Sequence, residues 1–200
     1  MPQPTSRPVL GLRERKKAKT RAAIQAHALR LFREQGYDAT TVEQICEAAE
    51  LSESTFYRYF PAKPDVVLWD EFDPLIVAAF NAQPAELNPL QALRAAFRTV
   101  FAQLSTEQRD EQRERTTLAY SVPELRAAML DQLVDAMALL AEVIAERTNQ
   151  RAHSLPVRTL AGAVVGIAIG VMLALTDDPD ADIAALLDQA LAQLETGFAT

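Results

Sequence analysis

Apolar residues recur along this chain at spacings of three and four rather than two. Ile24, Ala28, Leu31 and Phe32 form one stripe, Val42, Ile45, Cys46 and Ala49 a second, and Phe56 with Phe60 a third. That period places each set on one face of a helix. No stretch alternates β-branched and polar residues as a half-buried strand would, so the fold is expected to be all-α.

Breakpoints divide the pattern into elements. A first helix is expected from Leu12 or Lys17 to Gln35, stopped by Gly36, with Tyr37 as the apolar residue closing the cap. A short second helix begins at Thr40 or Thr41, where Thr40 and Glu43 have capping-box spacing. Ser52 is a good N-cap for a third helix through Tyr59, and Pro61 and Pro64 separate it from a fourth over Asp65 to Asn81. Two short helices joined by a tight turn are a helix-turn-helix. Further helices are expected at Pro89 to Leu104, Glu107 to Tyr120, Pro123 to Thr148, Leu155 to Leu175 and Pro179 to Leu194, giving about nine helices.

Composition narrows the class. With 200 residues, 49% of them hydrophobic, the chain can bury the core of one or two domains. One cysteine and two histidines exclude a disulfide framework and a closed structural zinc site, so neither metal nor cofactor is expected. The first twenty residues are basic but lack the apolar run of a signal peptide, which suggests a cytoplasmic protein. Leu160 to Leu175 is uncharged and carries Gly162, Gly166 and Gly170. It falls short of the roughly 20 residues that span a bilayer and is flanked by Arg158, Asp177, Asp178 and Asp180, so no membrane partner is expected. The glycines would instead admit a second helix at close range.

Charge changes the picture more. The net charge of −7 conceals a basic end: up to Lys63 there are eleven Lys and Arg against seven Asp and Glu, and thereafter nine against twenty. Such clustering is the footprint of phosphate contact, and equally of a solvated basic tail. The third helix separates the two readings. Its core side is Phe56 and Phe60, while Ser54, Tyr57 and Arg58 lie on another face, with Glu53 and Thr55 at the N-terminal end. Tyr57, Tyr59 and Thr55 can donate to phosphates, Lys63 adds a point charge, Arg58 could contact base or phosphate, and Glu53 could accept from cytosine or support the cap.

The stretch from Thr41 to Lys63, TVEQICEAAELSESTFYRYFPAK, preceded by Leu31-Phe32 and Gly36-Tyr37, resembles the DNA-binding domain of TetR-family bacterial transcriptional repressors. The resemblance covers about residues 17 to 68. It implies that Glu53, Ser54 and Tyr57 contact bases and that Thr41, Thr55, Tyr57, Tyr59 and Lys63 contact phosphates. It further implies a basic arm over 1–16, a helix-turn-helix domain over 17–64, and a ligand-binding and dimerisation domain over 65–200. Glu50 departs from the family, which usually has glycine at this turn, and a non-glycine residue held left-handed costs about 1 kcal/mol.

For the second half, the resemblance implies a homodimer through the last two helices, with Gly162, Gly166 and Gly170 as the close contact. Trp69, Phe72, Phe97, Phe101, Tyr120, Met129 and Met137 are the candidate lining of an apolar pocket, although any one of them could simply fill a core. The run from Val66 to Pro74 resembles a subgroup tied to acyl-CoA-like ligands that includes the mycofactocin-system regulator. The expected activity is repression from a pseudo-palindromic operator, with recognition helices about 34 to 36 Å apart or a multiple of that, and release by an apolar or acyl-CoA-like molecule. The fourth helix is the expected lever. An activator or ligand-independent regulator has the same sequence features. An enzyme is disfavoured, because no phosphate-cradling glycine loop, His-Glu-x-x-His pair or nucleophile with a base is present.

Overall fold

A computed structural model describes residues 11–70, 72–178 and 181–197. Among them are ten α-helices and no strand: α1 (Leu12–Gln35), α2 (Val42–Ala48), α3 (Glu53–Tyr59), α4 (Lys63–Leu68), α5 (Phe72–Asn81), α6 (Pro89–Phe101), α7 (Thr106–Ser121), α8 (Pro123–Thr148), α9 (Leu155–Asp177) and α10 (Ile183–Thr196). The chain divides into two compact units, one up to Val67 and one from Leu68 onward.

In the first unit Ile24, Ala28, Leu29 and Phe32 of α1 are buried with Ile45 and Cys46 of α2 and Phe56 and Phe60 of and after α3. Leu29 takes the deep position expected of Leu31, which is only half-buried. The first helix also includes residues 12–16, which the sequence suggests as part of a flexible arm; the rest of that arm, residues 1–10, lies outside the described residues. Gln25 Nε2 donates to the Val66 carbonyl at 2.8 Å, tying α1 to the end of α4.

The extra helix arises because the expected Asp65–Asn81 helix is two. A continuous helix would put Pro74 in its interior, where the ring lacks an N–H and collides with the carbonyl four residues back. The chain instead breaks after Leu68 and restarts at Phe72, leaving Pro74 in the first turn of α5 where no donor is needed. Asp70 Oδ1 accepts the Phe72 N–H at 2.9 Å and helps start the new helix.

The second unit is a helical bundle in which α5 packs on α6, α8 on α9, and α10 on both α6 and α9. Phe80, Leu93, Ile144, Val157, Val164 and Leu191 form the centre of its main core. Two arginines brace it. Arg94 holds Asp188 in a two-point pair, Nε to Oδ1 at 2.6 Å and Nη2 to Oδ2 at 2.8 Å, so α6 and α10 are locked together. Arg147 donates to the carbonyls of Gln83, Pro84 and Leu87 while lying 5.2 Å over the Phe80 ring. The last helix begins at Ile183 behind an Asp182 N-cap; Pro179, its expected first residue, lies outside the described residues.

Candidate nucleic-acid interface

The helix-turn-helix is built from local capping. Thr41, rather than Thr40, caps α2: its hydroxyl accepts the Gln44 N–H at 3.2 Å, and Gln44 Oε1 accepts the Thr41 N–H at 2.9 Å. The capping box therefore uses Gln44 and not Glu43. Thr40 is buried and turns inward, its hydroxyl donating to the Gly36 carbonyl at 2.8 Å. Gly36 ends α1 with φ 90°.

The turn between α2 and α3 closes with a Schellman pattern. Leu51 N–H donates to the Cys46 carbonyl at 3.0 Å and Glu50 N–H to the Glu47 carbonyl at 3.2 Å. This requires a left-handed residue, and Glu50 supplies it at φ 54°. Glutamate thus adopts the glycine-type conformation and carries its strain. The neighbouring Cys46 thiol is buried, and burial followed by the charge of Glu53 pushes its pKa up, so it stays protonated as part of the core.

Ser52 then starts α3, its Oγ accepting the Thr55 N–H at 3.3 Å. Phe56 and Phe60 are both 0% exposed and fix which side of the helix faces inward. Glu53, Ser54, Tyr57 and Arg58 are left exposed on the remaining surface, with Tyr57 at 49%. The Tyr57 ring stands edge-on to Phe56 at 5.3 Å, and Arg58 stacks 5.5 Å from the Tyr59 ring. Thr55, Tyr59 and Lys63 are half-buried, and Thr41 is exposed. Arg13, Arg15, Lys16, Lys17 and Lys19 are exposed along the start of α1.

Lys63 has a role that sequence reasoning missed. Its Nζ donates to the carbonyls of Tyr37 at 3.0 Å and Thr40 at 3.1 Å, and sits 4.0 Å over the Tyr37 ring. The ammonium thereby caps the loop between α1 and α2 with two of its three donors. His27 of α1 is half-buried, and its Nδ1 is buried without a hydrogen-bond partner among the described residues.

In the second unit Phe72, Phe97 and Phe101 come together, with ring centroids 5.4 Å apart for Phe72 and Phe101 and 6.4 Å for Phe97 and Phe101. Met137 packs into the main core instead. Trp69, Tyr120 and Met129 are half-buried, and burial raises the Tyr120 phenol pKa. A cavity of about 240 Å³ lies elsewhere, between α7 and the α9–α10 connection, lined by Leu104, Arg109, Gln112, Arg113, Thr116, Leu175 and residues 181–183. None of the seven candidate pocket residues lines it. On α9, Gly162 lies against Met137, where a Cβ would meet Sδ at 3.7 Å, whereas a Cβ at Gly166 or Gly170 would meet nothing within 4 Å.

Residues 24–68 match the family described as bacterial regulatory proteins, tetR family, and residues 87–199 match the MftR C-terminal domain. The HTH-type transcriptional regulator TcmR of Streptomyces glaucescens is 46% identical over 96 residues, 47% of this chain and 42% of that protein, so the match spans less than half of that relative. A Mycobacterium tuberculosis protein named as the mycofactocin biosynthesis transcriptional regulator MftR is 23% identical over 158 residues, 78% of this chain and 79% of its own. Among solved structures, FadR of Thermus thermophilus in complex with lauroyl-CoA superposes with a TM-score of 0.57 at 24% identity, over 90% of this chain and 95% of that one. SmeT, the repressor of a Stenotrophomonas maltophilia multidrug efflux pump, gives 0.59 at 21% identity, over 88% and 89%. At these identities the structural likeness is one of fold.

Proposed function

The chain belongs to the TetR family of bacterial regulatory proteins, and we propose that it is a DNA-binding transcriptional regulator, a cytoplasmic repressor released from a pseudo-palindromic operator by an apolar or acyl-CoA-like molecule. The observation that carries this reading is the two-sided α3. Two phenylalanines at 0% exposure anchor one side, so that Glu53, Ser54, Tyr57 and Arg58 are presented together on the other. Base contacts are assigned to Glu53, Ser54 and Tyr57, with Arg58 reaching either base or backbone. Phosphate contacts are assigned to Thr41, Thr55, Tyr57, Tyr59 and Lys63.

The proposed dimer uses α9. Glycine in a helix interior costs about 1 kcal/mol relative to alanine, and this helix carries three. Gly166 and Gly170 are exposed with Leu173 near them at 50% exposure, an arrangement suited to a second helix at close range. Although α9 is 23 residues long and contains an 18-residue stretch of mean hydropathy 2.2, and could by those measures cross a membrane, the same apolar surface serves a dimer seam. The proposed effector lies among Trp69, Phe72, Phe97, Phe101, Tyr120, Met129 and Met137. The contact of Phe72 and Phe97 with Phe101 supports this, as do the lauroyl-CoA complex of FadR and the triclosan complex of SmeT.

The test is fluorescence anisotropy on DNA from immediately upstream of the gene, against scrambled competitor at fixed salt, paired with selection from random-sequence DNA. Two protomers per palindromic site, released by acyl-CoAs, is the expected result. A selection that yields no motif, with weak competitor-sensitive binding to all DNA, would overturn it.

A further inference from the structure

The inward stripe of α1 changes chemistry where the helix outruns the core of the first unit. Inside the unit it is Ile24, Ala28 and Phe32, all buried at i, i+4 and i+8. Counted back toward the N-terminus at helical spacing, the same stripe becomes Arg21, Lys17 and Arg13. Arg21 still reaches the protein: its Nη2 donates to the Tyr59 carbonyl at 3.4 Å, and its guanidinium lies 5.8 Å over the Phe60 ring. Lys17 and Arg13, one and two turns further out, are exposed. The helix thus passes the C-terminal end of α3 and runs on for about 12 Å with cations on the side that α3 occupies.

Lys16 joins Arg13 and Lys17 at i+3, which makes a face of three cations. Arg15 and Lys19 are turned by about 200° from Arg13 and Lys17 and lie opposite. Among the described residues, no ion pair or hydrogen bond engages the side chains of Arg13, Lys16 or Lys17. From Met1 to Arg33 the sequence holds nine Lys and Arg and a single carboxylate, Glu14, which offsets at most one of those charges. Arg13 with Lys17 and Arg15 with Lys19 are moreover like-charge pairs at i, i+4, an arrangement that destabilises a helix in solvent and is relieved when a polyanion lies along it.

We propose that Arg13, Lys16 and Lys17 form a second DNA-binding surface, which grips the phosphate backbone beside the segment read by α3. Tyr59, assigned to a phosphate, marks where the two surfaces join, because Arg21 holds α1 against its carbonyl. The three cations contact phosphates whatever the base sequence, so they add affinity and salt dependence and leave sequence choice to α3. This rests on the DNA-binding reading and adds to it a face of α1, three residues and the chemistry of their partner.

The test compares the full chain with two variants by fluorescence anisotropy across a range of salt, on the site selected from random-sequence DNA and on a scrambled duplex. Arg13→Gln/Lys16→Gln/Lys17→Gln removes the proposed face, and Arg15→Gln/Lys19→Gln removes charge from the opposite side of the same turns. Glutamine has nearly the helix propensity of lysine and arginine, and circular dichroism with thermal melting establishes that both variants fold. The triple variant is expected to bind both duplexes at least tenfold more weakly, to lower the slope of log K against log salt by about two to three units, and to select the same motif. The double variant should change the slope by less than about one unit. Arg13→Lys/Lys16→Arg/Lys17→Arg should restore wild-type slope. An unchanged slope in the triple variant, equal losses per charge on the two faces, or an altered motif overturns the proposal. The last two outcomes would mean a solvated basic tail and a base contact, respectively. A wild-type selection that yields no motif removes the DNA-binding reading and this surface with it, whereas a motif bound equally well by the triple variant removes this surface alone.

Discussion

The Lys63 ammonium lies 4.0 Å over the Tyr37 ring and donates to the Tyr37 carbonyl at 3.0 Å, so one side chain grips both the face and the backbone of a residue 26 positions earlier. With the second bond to Thr40 it fixes the loop that sets the start of α2.

Lys63→Ala is therefore expected to lower stability by about 1–2 kcal/mol, since charge-assisted hydrogen bonds and a cation–π contact are lost together. The same change should also weaken operator binding and reduce the slope of log K against log salt by about one unit. Urea denaturation and anisotropy at several salt concentrations check the two effects. An unchanged slope in the folded variant would confine Lys63 to its structural job.

Tyr57→Phe separates recognition from folding in the other direction. The ring keeps its contact with Phe56 and only a hydroxyl on a half-exposed side chain is removed, so the urea midpoint should stay put. Losing one hydrogen bond should weaken specific DNA binding by about threefold to tenfold, and unchanged affinity would remove Tyr57 from the contact set.

Glu50→Gly should stabilise the protein by about 0.5–1 kcal/mol. Glu50 is held at φ 54°, a conformation that glycine adopts without a Cβ penalty, although glycine gives back part of the gain through the entropy of the unfolded chain. Glu50→Val, β-branched at the same position, should be destabilising. Urea melts of the two variants decide it, and a destabilised Glu50→Gly would mean that the glutamate side chain contributes more than its strain costs.

The Arg94–Asp188 pair gives the acid limb of stability a specific source. The hydrogen bond from Arg94, with the charges of Arg94 and Arg98 behind it, holds the Asp188 carboxyl below its ordinary pKa in the folded protein. In the unfolded chain it titrates near 3.9. The pair's contribution is thus complete above that value and fades as pH falls through the lower folded-state value. For a pair this accessible to solvent the contribution is about 0.5–1 kcal/mol and falls with salt. Asp188→Asn should therefore lower stability at pH 7 and make no difference near pH 2, as measured by urea denaturation across that range.

What the sequence reveals follows from how local each feature is. The inward Phe56 and Phe60, the Ser52 cap and the proline-led starts of α6 and α8 depend on neighbours within one turn, and they stand where periodicity puts them. Pro74 is an equally local signal: a proline in the first turn marks the start of α5, separate from α4, although the apolar pattern runs on across both. The Lys63 clamp was illegible because its acceptors lie 23 and 26 residues away. The cavity between α7 and the start of α10 was illegible for the same reason, since these elements meet only through the fold. Aromatic character singles out Phe72 and Phe101, whose rings lie 5.4 Å apart, but by itself it does not separate a pocket lining from core packing, and Phe101 is 7% exposed.

The three glycines of α9 are equivalent in sequence but not in the protomer, and this makes the dimer seam testable. A Cβ at Gly162 would already touch Met137 Sδ at 3.7 Å, whereas Gly170 faces open space. Leucine at 170 should fit the isolated chain and, with better helix propensity than glycine, leave its stability unchanged or improved. In the dimer it would stand where the second helix must approach. Gly170→Leu is accordingly expected to yield a folded monomer, or a dimer weakened at least tenfold, by sedimentation velocity. Gly162→Leu must instead displace Met137 and should lower stability within the protomer. A Gly170→Leu protein that stays dimeric at wild-type affinity would move the seam off this face of α9.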